Sequence, residues 1–160
     1  MDLADEILAD WSKQRPDIDC YGKAIVCRML RFYSRYISIL EKSLKPLNIA
    51  PNVFSVLVTI RRRGKTAEVN VKNVIQEVLV TSGAMSNLLT RLIDDGLIKK
   101  RADDHDARSM LIKLTPKGLK LVDQAMEIQA ACERKLTHSL SQAERKQLAG
   151  LLKKLPLEEF

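Results

Sequence analysis

One arc of a helix predicted over residues 82–94 carries small polar side chains that can donate and accept hydrogen bonds. Placed at 100° per residue, the polar arc holds Gly83, Ser86, Asn87, Thr90 and Asp94, with Arg91 on its edge. The opposite arc is apolar and holds Met85, Leu88, Leu89, Leu92 and Ile93. Small hydroxyl and amide groups suit a helix that enters the DNA major groove closely and hydrogen-bonds base edges.

A shorter helix is predicted just before this one. One face of it, with the i, i+3, i+4, i+7 spacing, is formed by Val71, Val74, Ile75 and Val78. A brief turn follows at residues 79–80, and Thr81 or Ser82 can cap the next helix. A short helix, a short turn and a helix with small polar residues outward form the helix-turn-helix pattern of DNA-binding proteins.

Two strands are predicted directly after the second helix, which Gly96 ends. They cover residues 97–101 and 109–114 and are joined by a polar connection at 102–108. Every second position of the second strand is apolar, as is typical of a β-strand, and these positions are Met110, Ile112 and Leu114. A two-stranded hairpin in this position is a wing.

Amphipathic helices are predicted on both sides of this central segment. Apolar spacing and the prolines indicate helices over residues 2–13, 20–45, 51–62, 116–137 and 142–154. Thr115 caps the fourth of these, and the capping box Ser141-Gln142-Ala143-Glu144 opens the last. We therefore expect a mainly α fold with a small β-wing. The predicted parts are N-terminal helices at 1–50, a winged helix-turn-helix at 51–115 and C-terminal helices at 116–160.

The charge of the chain is concentrated in the same central segment. The chain has 27 Lys and Arg against 20 Asp and Glu, a formal charge of +7. Residues 61–120 hold 13 of these basic residues and 7 of the acidic ones, so nearly all the excess lies there. This favours a polyanion partner, because contacts with phosphate are largely electrostatic. The alternative is a basic face that is merely solvated.

The sequence argues against several other classes of protein. No apolar run approaches the roughly 18 residues of a membrane helix, and the acidic N-terminus differs from a secretion signal, so we expect a cytoplasmic protein. The two histidines and three cysteines lack the spacing of a metal site or a nucleophile–base pair. We therefore expect no enzyme, no cofactor and no metal. A redox role for Cys20, Cys27 or Cys132 stays open beside ordinary packing.

Five short motifs follow one another between residues 81 and 118. They are Thr81-Ser82-Gly83-Ala84-Met85-Ser86-Asn87, Arg91-Leu92, Gly96-Leu97-Ile98, Asp106-Ala107-Arg108-Ser109 and Leu114-Thr115-Pro116-Lys117-Gly118. Their order and spacing resemble the MarR family of dimeric winged helix-turn-helix transcription regulators, over roughly residues 20–155. The family's wing carries Asp-x-Arg, in which the arginine enters the minor groove and the aspartate orients it. Asp106 and Arg108 match these positions, while Ala107 replaces a second arginine that many relatives have.

The N-terminal segment Asp10-Trp11-Ser12-Lys13-Gln14-Arg15-Pro16-Asp17 resembles the leader of the PecS-like, urate-responsive branch of the family. In that branch a tryptophan on an extra helix helps line a ligand pocket, and Trp11 matches it. A plain hydrophobic anchor for the helix is the alternative. The branch's other pocket residues, an aspartate and two arginines, correspond here to Ser55, Leu88 and Lys100. Urate is disfavoured as the effector, because leucine offers no bidentate partner and lysine only a point charge.

The resemblance implies a homodimer that binds a pseudo-palindromic operator in double-stranded DNA, commonly as a repressor, and that a small aromatic or anionic effector can release. It also implies that the helices of 1–50 and 116–160 serve dimerisation and that the N-terminal ones can line a ligand pocket. The predicted DNA-binding residues are Ser82, Gly83, Ser86, Asn87, Thr90, Arg91, Arg101, Asp106 and Arg108. The predicted effector-binding residues are Trp11, Ser55, Leu88 and Lys100. The alternative is a winged-helix protein-interaction module that does not read DNA, because a fold does not fix a function.

Overall fold

Helices account for most of the chain, and a small antiparallel sheet accompanies them. The structure is a computed structural model and describes residues 1–78, 82–104, 106 and 109–155. Its helices are α1 (Leu3–Gln14), α2 (Tyr21–Leu44), α3 (Pro51–Arg61), α4 (Val71–Val78), α5 (Ser82–Asp94), α6 (Pro116–Thr137) and α7 (Gln142–Leu152). Its strands are β1 (Val69–Asn70), β2 (Ile98–Ala102) and β3 (Met110–Leu114), and a 3-10 turn spans Lys45–Leu47. The mainly helical fold with a small wing is confirmed, and the predicted bounds lie within two residues of those observed.

The chain forms two compact units, Met1–Ile39 and Leu40–Phe160. In the first unit, Asp2 and Asp5 form a capping box at the start of α1, each carboxylate accepting from the other's backbone N–H at 2.9–3.0 Å. Arg28 of α2 donates to both carboxylates, with its shortest bond, 2.6 Å, to Asp5. The Asp2 N–H and the Arg28 guanidinium together lower the pKa of Asp5. Because these groups are exposed, the pairs tie α1 to α2 with only a modest gain in stability.

The core of the second unit is built around α3. Phe54, Leu57 and Ile60 of this helix are fully buried. They pack in a unit to which α4, β3 and α6 also contribute, since α3 contacts all three elements. Burying side chains of this size stabilises a fold by roughly 1.5–3 kcal/mol each. Packing against α3 therefore helps to hold all three neighbouring elements in place.

The sheet has three strands in the order β1-β3-β2, all antiparallel. β2 and β3 form the predicted hairpin, with Ile98 opposite Leu114 and Ala102 opposite Met110. β1 was not expected; its two residues pair with β3, and two residues are too few to show a period. One face of the hairpin contributes the buried side chains of Ile98, Ile112 and Leu114 to the core. The other face, here called the outer face, carries Lys99, Arg101, Leu111 and Lys113.

The predicted helix ends in the second unit are also confirmed. Gly96 closes α5 with a left-handed φ of 66°, a conformation that glycine adopts without steric cost. The Thr115 hydroxyl caps α6 by accepting from the Gly118 N–H at 3.0 Å. Ser141 and Glu144 form the capping box of α7. No helix in the described part of the chain is both long and apolar enough to cross a membrane.

Candidate nucleic-acid interface

The outward side of α5 is polar, as the sequence predicts. Exposed residues on it are Gly83, Ser86, Asn87, Thr90 and Arg91. The inward side is anchored by Met85, Leu89 and Leu92, which are at most 5% exposed. Ile93 departs from the expected apolar arc because it lies at the edge of the buried stripe and is 38% exposed, while Leu88 is half-buried. Ser82 is the first residue of the helix, and Thr81 lies outside the described residues.

Two polar groups on α5 have partners within the helix or directly after its end. The Thr90 hydroxyl donates to the Ser86 carbonyl at 3.1 Å, and Arg91 lies 3.7 Å from the Asp95 carboxylate. Both contacts are exposed, so each is weak in water and exchanges readily for a contact with a partner. The face therefore presents hydroxyl, amide and guanidinium groups together, which is the set that hydrogen-bonds base edges and phosphates.

The C-terminal end of α5 is fixed to the start of α6. The Thr115 hydroxyl donates to the Gly96 carbonyl at 2.7 Å, and the Lys117 ammonium donates to the Asp95 carbonyl at 2.7 Å. A cationic side chain at the carbonyl end of a helix is favourable because the helix dipole is negative there. These bonds hold the polar face of α5 at a defined orientation within the second unit.

The wing carries cations on its outer face. Arg101 bonds to two carboxylates, with Glu68 at 2.6 Å and Asp104 at 2.9 Å. Lys113 bonds to Glu68 at 2.8 Å. The Arg101 and Lys113 cations lower the pKa of Glu68 to about 2. Sequence reasoning did not single out Glu68, because its role depends on the pairing of β1 with β3.

The tip of the wing is closed by backbone bonds around Asp106. The Ser109 N–H donates to the Asp106 carbonyl at 2.8 Å, and the Asp103 N–H donates to the Ser109 carbonyl at 3.0 Å. Asp106 is exposed. Arg108, the predicted minor-groove residue, lies outside the described residues, as do His105 and Ala107.

The predicted effector-binding residues are distributed over both units. In the first unit Trp11 is 43% exposed, with the Lys23 ammonium 5.3 Å from its ring centroid. In the second unit Ser55 is half-buried on α3 and donates to the Pro51 carbonyl of its own helix at 2.9 Å. Leu88 is half-buried on α5, and Lys100 is exposed on β2. Whether these residues form a pocket stays a prediction.

A cavity of about 270 Å³ lies elsewhere in the second unit, where the 3-10 turn, the end of α5 and the start of α6 meet. Arg91 and Lys117 line it, together with Asp95 and apolar groups that include Leu121. Ser55, Leu88 and Lys100 do not line it. Its volume is below the range of roughly 300–1,000 Å³ typical of small-molecule sites.

The cysteines and the other candidate ligands do not assemble into a metal site. Cys20 and Cys27 are half-buried, and Cys132 is buried with its Sγ 3.4 Å from the Ser43 hydroxyl. Among the described residues, no group of three histidine, cysteine, aspartate or glutamate side chains could hold a metal ion. Of the features described, the polar face of α5 and the basic wing are those that offer hydrogen-bonding and cationic groups to a partner.

Comparison with known proteins relates these features to one family. The MarR family profile matches residues 47–109, which include α3, α4, α5 and β2. The multiple antibiotic resistance protein MarR of Salmonella typhimurium is 34% identical over 118 residues, covering 73% of this chain and 80% of that protein. The chain belongs to the MarR family.

Two further MarR-type proteins are similar over nearly the whole chain. The transcriptional regulator PecS of Dickeya dadantii is 24% identical over 147 residues, covering 92% of this chain and 89% of that protein. A mutant MarR from E. coli, crystallised with operator DNA, matches 98% of this chain and 100% of its own, with a TM-score of 0.74 and 25% identity. The predicted family, with similarity to PecS, is thereby confirmed. PecS is a transcriptional regulator, which points to a regulator rather than an enzyme.

Proposed function

We propose that this MarR-family chain binds double-stranded DNA in a sequence-specific manner and regulates transcription, most simply as a repressor in the bacterial cytoplasm. The observation that carries this proposal is the exposed polar face of α5, fixed in orientation and followed by a basic wing. The solved MarR structure with operator DNA supports it, because that chain matches 98% of this one. The proposed contacts with bases and phosphates come from Ser82, Gly83, Ser86, Asn87, Thr90 and Arg91.

The wing supplies the flanking contacts in this proposal. Arg108 enters the minor groove, where the negative potential attracts a guanidinium, and Asp106 orients it. Arg101 lies one residue from the last hairpin pair and provides a further cation near the phosphates. Phosphate contacts of this kind set the register of the protein on the duplex, while α5 reads the sequence.

Homodimerisation is part of the same proposal. Large apolar side chains are exposed on α2 and α7, including Leu30, Tyr33, Leu148 and Leu151, which are 46–63% exposed. Burying such side chains against a second copy is favourable. The segments proposed for this role are 1–50 and 116–160, which flank the DNA-binding segment 51–115. Two copies would place two α5 helices in successive major grooves roughly 34–36 Å apart, so the operator is a pseudo-palindrome.

A small aromatic or anionic effector completes the proposed mechanism. It acts by binding more tightly to a dimer whose α5 helices do not fit successive grooves, since a ligand shifts an equilibrium only by its differential affinity. Trp11, Ser55, Leu88 and Lys100 are the positions proposed to contact it. Trp11 supplies an exposed aromatic ring for stacking, and Lys100 supplies a positive charge.

The test begins with selection of duplexes from a random library by the purified full-length protein. Fluorescence anisotropy then compares the selected duplex, the region upstream of the protein's own gene and a scrambled duplex, each at two salt concentrations. We expect a pseudo-palindromic consensus and binding that is tighter than to the scrambled duplex and weakens with salt. Failure to enrich any sequence would overturn the DNA-reading function and favour a protein-interaction module.

A further inference from the structure

The Glu68 carboxylate forms ion pairs with two cations of the wing, Arg101 and Lys113. Glu68 directly precedes β1, and its side chain is 24% exposed. One of its oxygens accepts from the Arg101 guanidinium at 2.6 and 3.0 Å, and the other accepts from the Lys113 ammonium at 2.8 Å. Asp104 accepts a further bond from Arg101 at 2.9 Å. Both cations are therefore already paired before any partner binds.

The register of the sheet brings these charges together. β1 pairs with β3 through Val69–Ile112 and Asn70–Leu111, so Glu68 continues β1 opposite Lys113. Lys113 in turn lies directly opposite Lys99 of β2. Like charges in directly opposed positions destabilise a sheet, and the Glu68 carboxylate offsets that repulsion.

Lys99 and Lys113 form a matched pair of lysines. They lie on the same outer face and directly across from each other. Lys113 is held by Glu68, whereas none of the ion pairs among the described residues involves Lys99, which is exposed. The ammonium group of Lys113 therefore has a carboxylate partner, whereas that of Lys99, directly opposite, has none among the described residues.

We propose that Glu68 is a specificity-determining residue, which limits binding to unrelated DNA by holding Arg101 and Lys113 on a carboxylate. The proposal rests on the DNA-binding function proposed above. Phosphate contacts are independent of sequence and supply essentially all of the non-specific affinity. A phosphate can gain either cation only by replacing charge-assisted bonds, which are among the stronger hydrogen bonds in proteins. Base contacts from α5 carry no such cost, so Glu68 raises the ratio of operator to non-specific affinity.

The direct test is Glu68→Gln in the full-length protein, since glutamine keeps the size of the side chain and removes its charge. Anisotropy titrations with the selected operator and a scrambled duplex are run at several salt concentrations. We expect affinity for the scrambled duplex to rise roughly three- to tenfold, with a slope of log K against log salt steeper by about 1–2, because each added phosphate contact contributes about 0.9. Affinity for the operator rises less.

The matched control for net charge is Glu127→Gln, which makes the same change at an exposed position on α6. A second comparison uses the two lysines. With Glu68 present, we expect Lys99→Gln to lower affinity for the scrambled duplex more than Lys113→Gln does. In the Glu68→Gln background, we expect Lys113→Gln to cause a larger loss of affinity for the scrambled duplex. The difference between the two backgrounds measures the coupling between Glu68 and Lys113. The lysine comparison with Glu68 present remains informative even if Glu68→Gln does not fold.

Three results would overturn this inference while leaving the proposed function intact. One is an unchanged affinity and salt slope for the scrambled duplex. Another is weaker binding of both duplexes by a folded Glu68→Gln protein, which would mean that Glu68 supports DNA binding instead of limiting it. The third is an equal rise with Glu127→Gln, which would point to net charge alone. If the wild-type protein selects no sequence, the proposed function itself has failed.

Discussion

Gly118, in the first turn of α6, lies directly against the backbone of Leu97. A Cβ atom on Gly118 would stand 2.0 Å from the Leu97 carbonyl oxygen and 2.9 Å from its carbonyl carbon. Leu97 connects α5 to β2, and its carbonyl oxygen also accepts from the Thr115 N–H at 3.0 Å. The absence of a side chain at Gly118 is therefore what allows α6 to approach the junction between the candidate recognition helix and the wing.

Gly118→Ala is expected to destabilise the protein by about 1–3 kcal/mol, because the new methyl group must displace backbone rather than a flexible side chain. Urea unfolding followed by circular dichroism measures this as a lower midpoint. The matched control is Gly83→Ala on α5, where nothing lies within 4 Å of a built Cβ. Equal midpoints for the two variants would contradict the close approach of α6 to Leu97.

Gly83→Ala should lower affinity for DNA without lowering the stability of the fold. The fold has no steric need for glycine at this exposed position, and alanine in a helix is favoured over glycine by about 0.5–1 kcal/mol. If the start of α5 approaches the bases closely, the added methyl group meets the DNA and affinity for the operator falls roughly tenfold, the scale of one disturbed base contact. Anisotropy and urea unfolding measure the two effects separately. Unchanged affinity would place the start of α5 away from the groove.

Much of the fold was predictable because it is encoded locally. The polar and apolar arcs of α5, the cap at Thr115 and the stop at Gly96 are patterns within a few residues, and each is observed. The hairpin follows from alternation at period two and a polar connection. These signals were sufficient to indicate a winged helix-turn-helix and the residues of its polar face.

The contacts that could not be predicted join residues distant in sequence. Glu68 meets Arg101 and Lys113 only because β1 pairs with β3, and a strand of two residues has no recognisable period. The approach of Gly118 to Leu97 likewise depends on how α6 packs. Exposure of Ile93 was missed because the helical arc alone does not reveal where the buried stripe ends.

The pH dependence of stability should contain a contribution from Glu68. Its folded-state pKa is lowered to about 2 by Arg101 and Lys113, whereas the ordinary value is 4.5. The folded state therefore favours the ionised carboxylate, so Glu68 stabilises the protein at pH values above 4.5. This contribution is lost as the pH falls towards 2 and the carboxylate is protonated. We expect wild type to have a higher urea midpoint than Glu68→Gln at pH 7, with the difference shrinking between pH 4.5 and 2. A difference that stays constant over that range would contradict the ion pairs at Glu68.

Dimerisation should depend on the exposed apolar side chains of α7. Leu148 and Leu151 are 46% and 53% exposed and lie three residues apart on one side of the helix. Changing both to glutamate places two charges in the proposed interface, where desolvation disfavours association. Light scattering after size exclusion should then report the 18.1 kDa of a single chain instead of a dimer. Lys146→Glu, an exposed position on the same helix, should leave the dimer intact.

Arg108 provides the sharpest test of the wing, and its role is predicted from the sequence because the residue lies outside the described part of the chain. Arg108→Ala should lower affinity for the operator roughly tenfold or more and reduce the salt slope by about 1, since one cationic contact is lost. Arg134→Ala, an equal loss of charge at an exposed position on α6, is the control and should bind as wild type does. Were Arg108→Ala to bind the operator as tightly as wild type, the minor-groove role of the Asp106–Arg108 pair would be wrong, and recognition would rest on α5 alone.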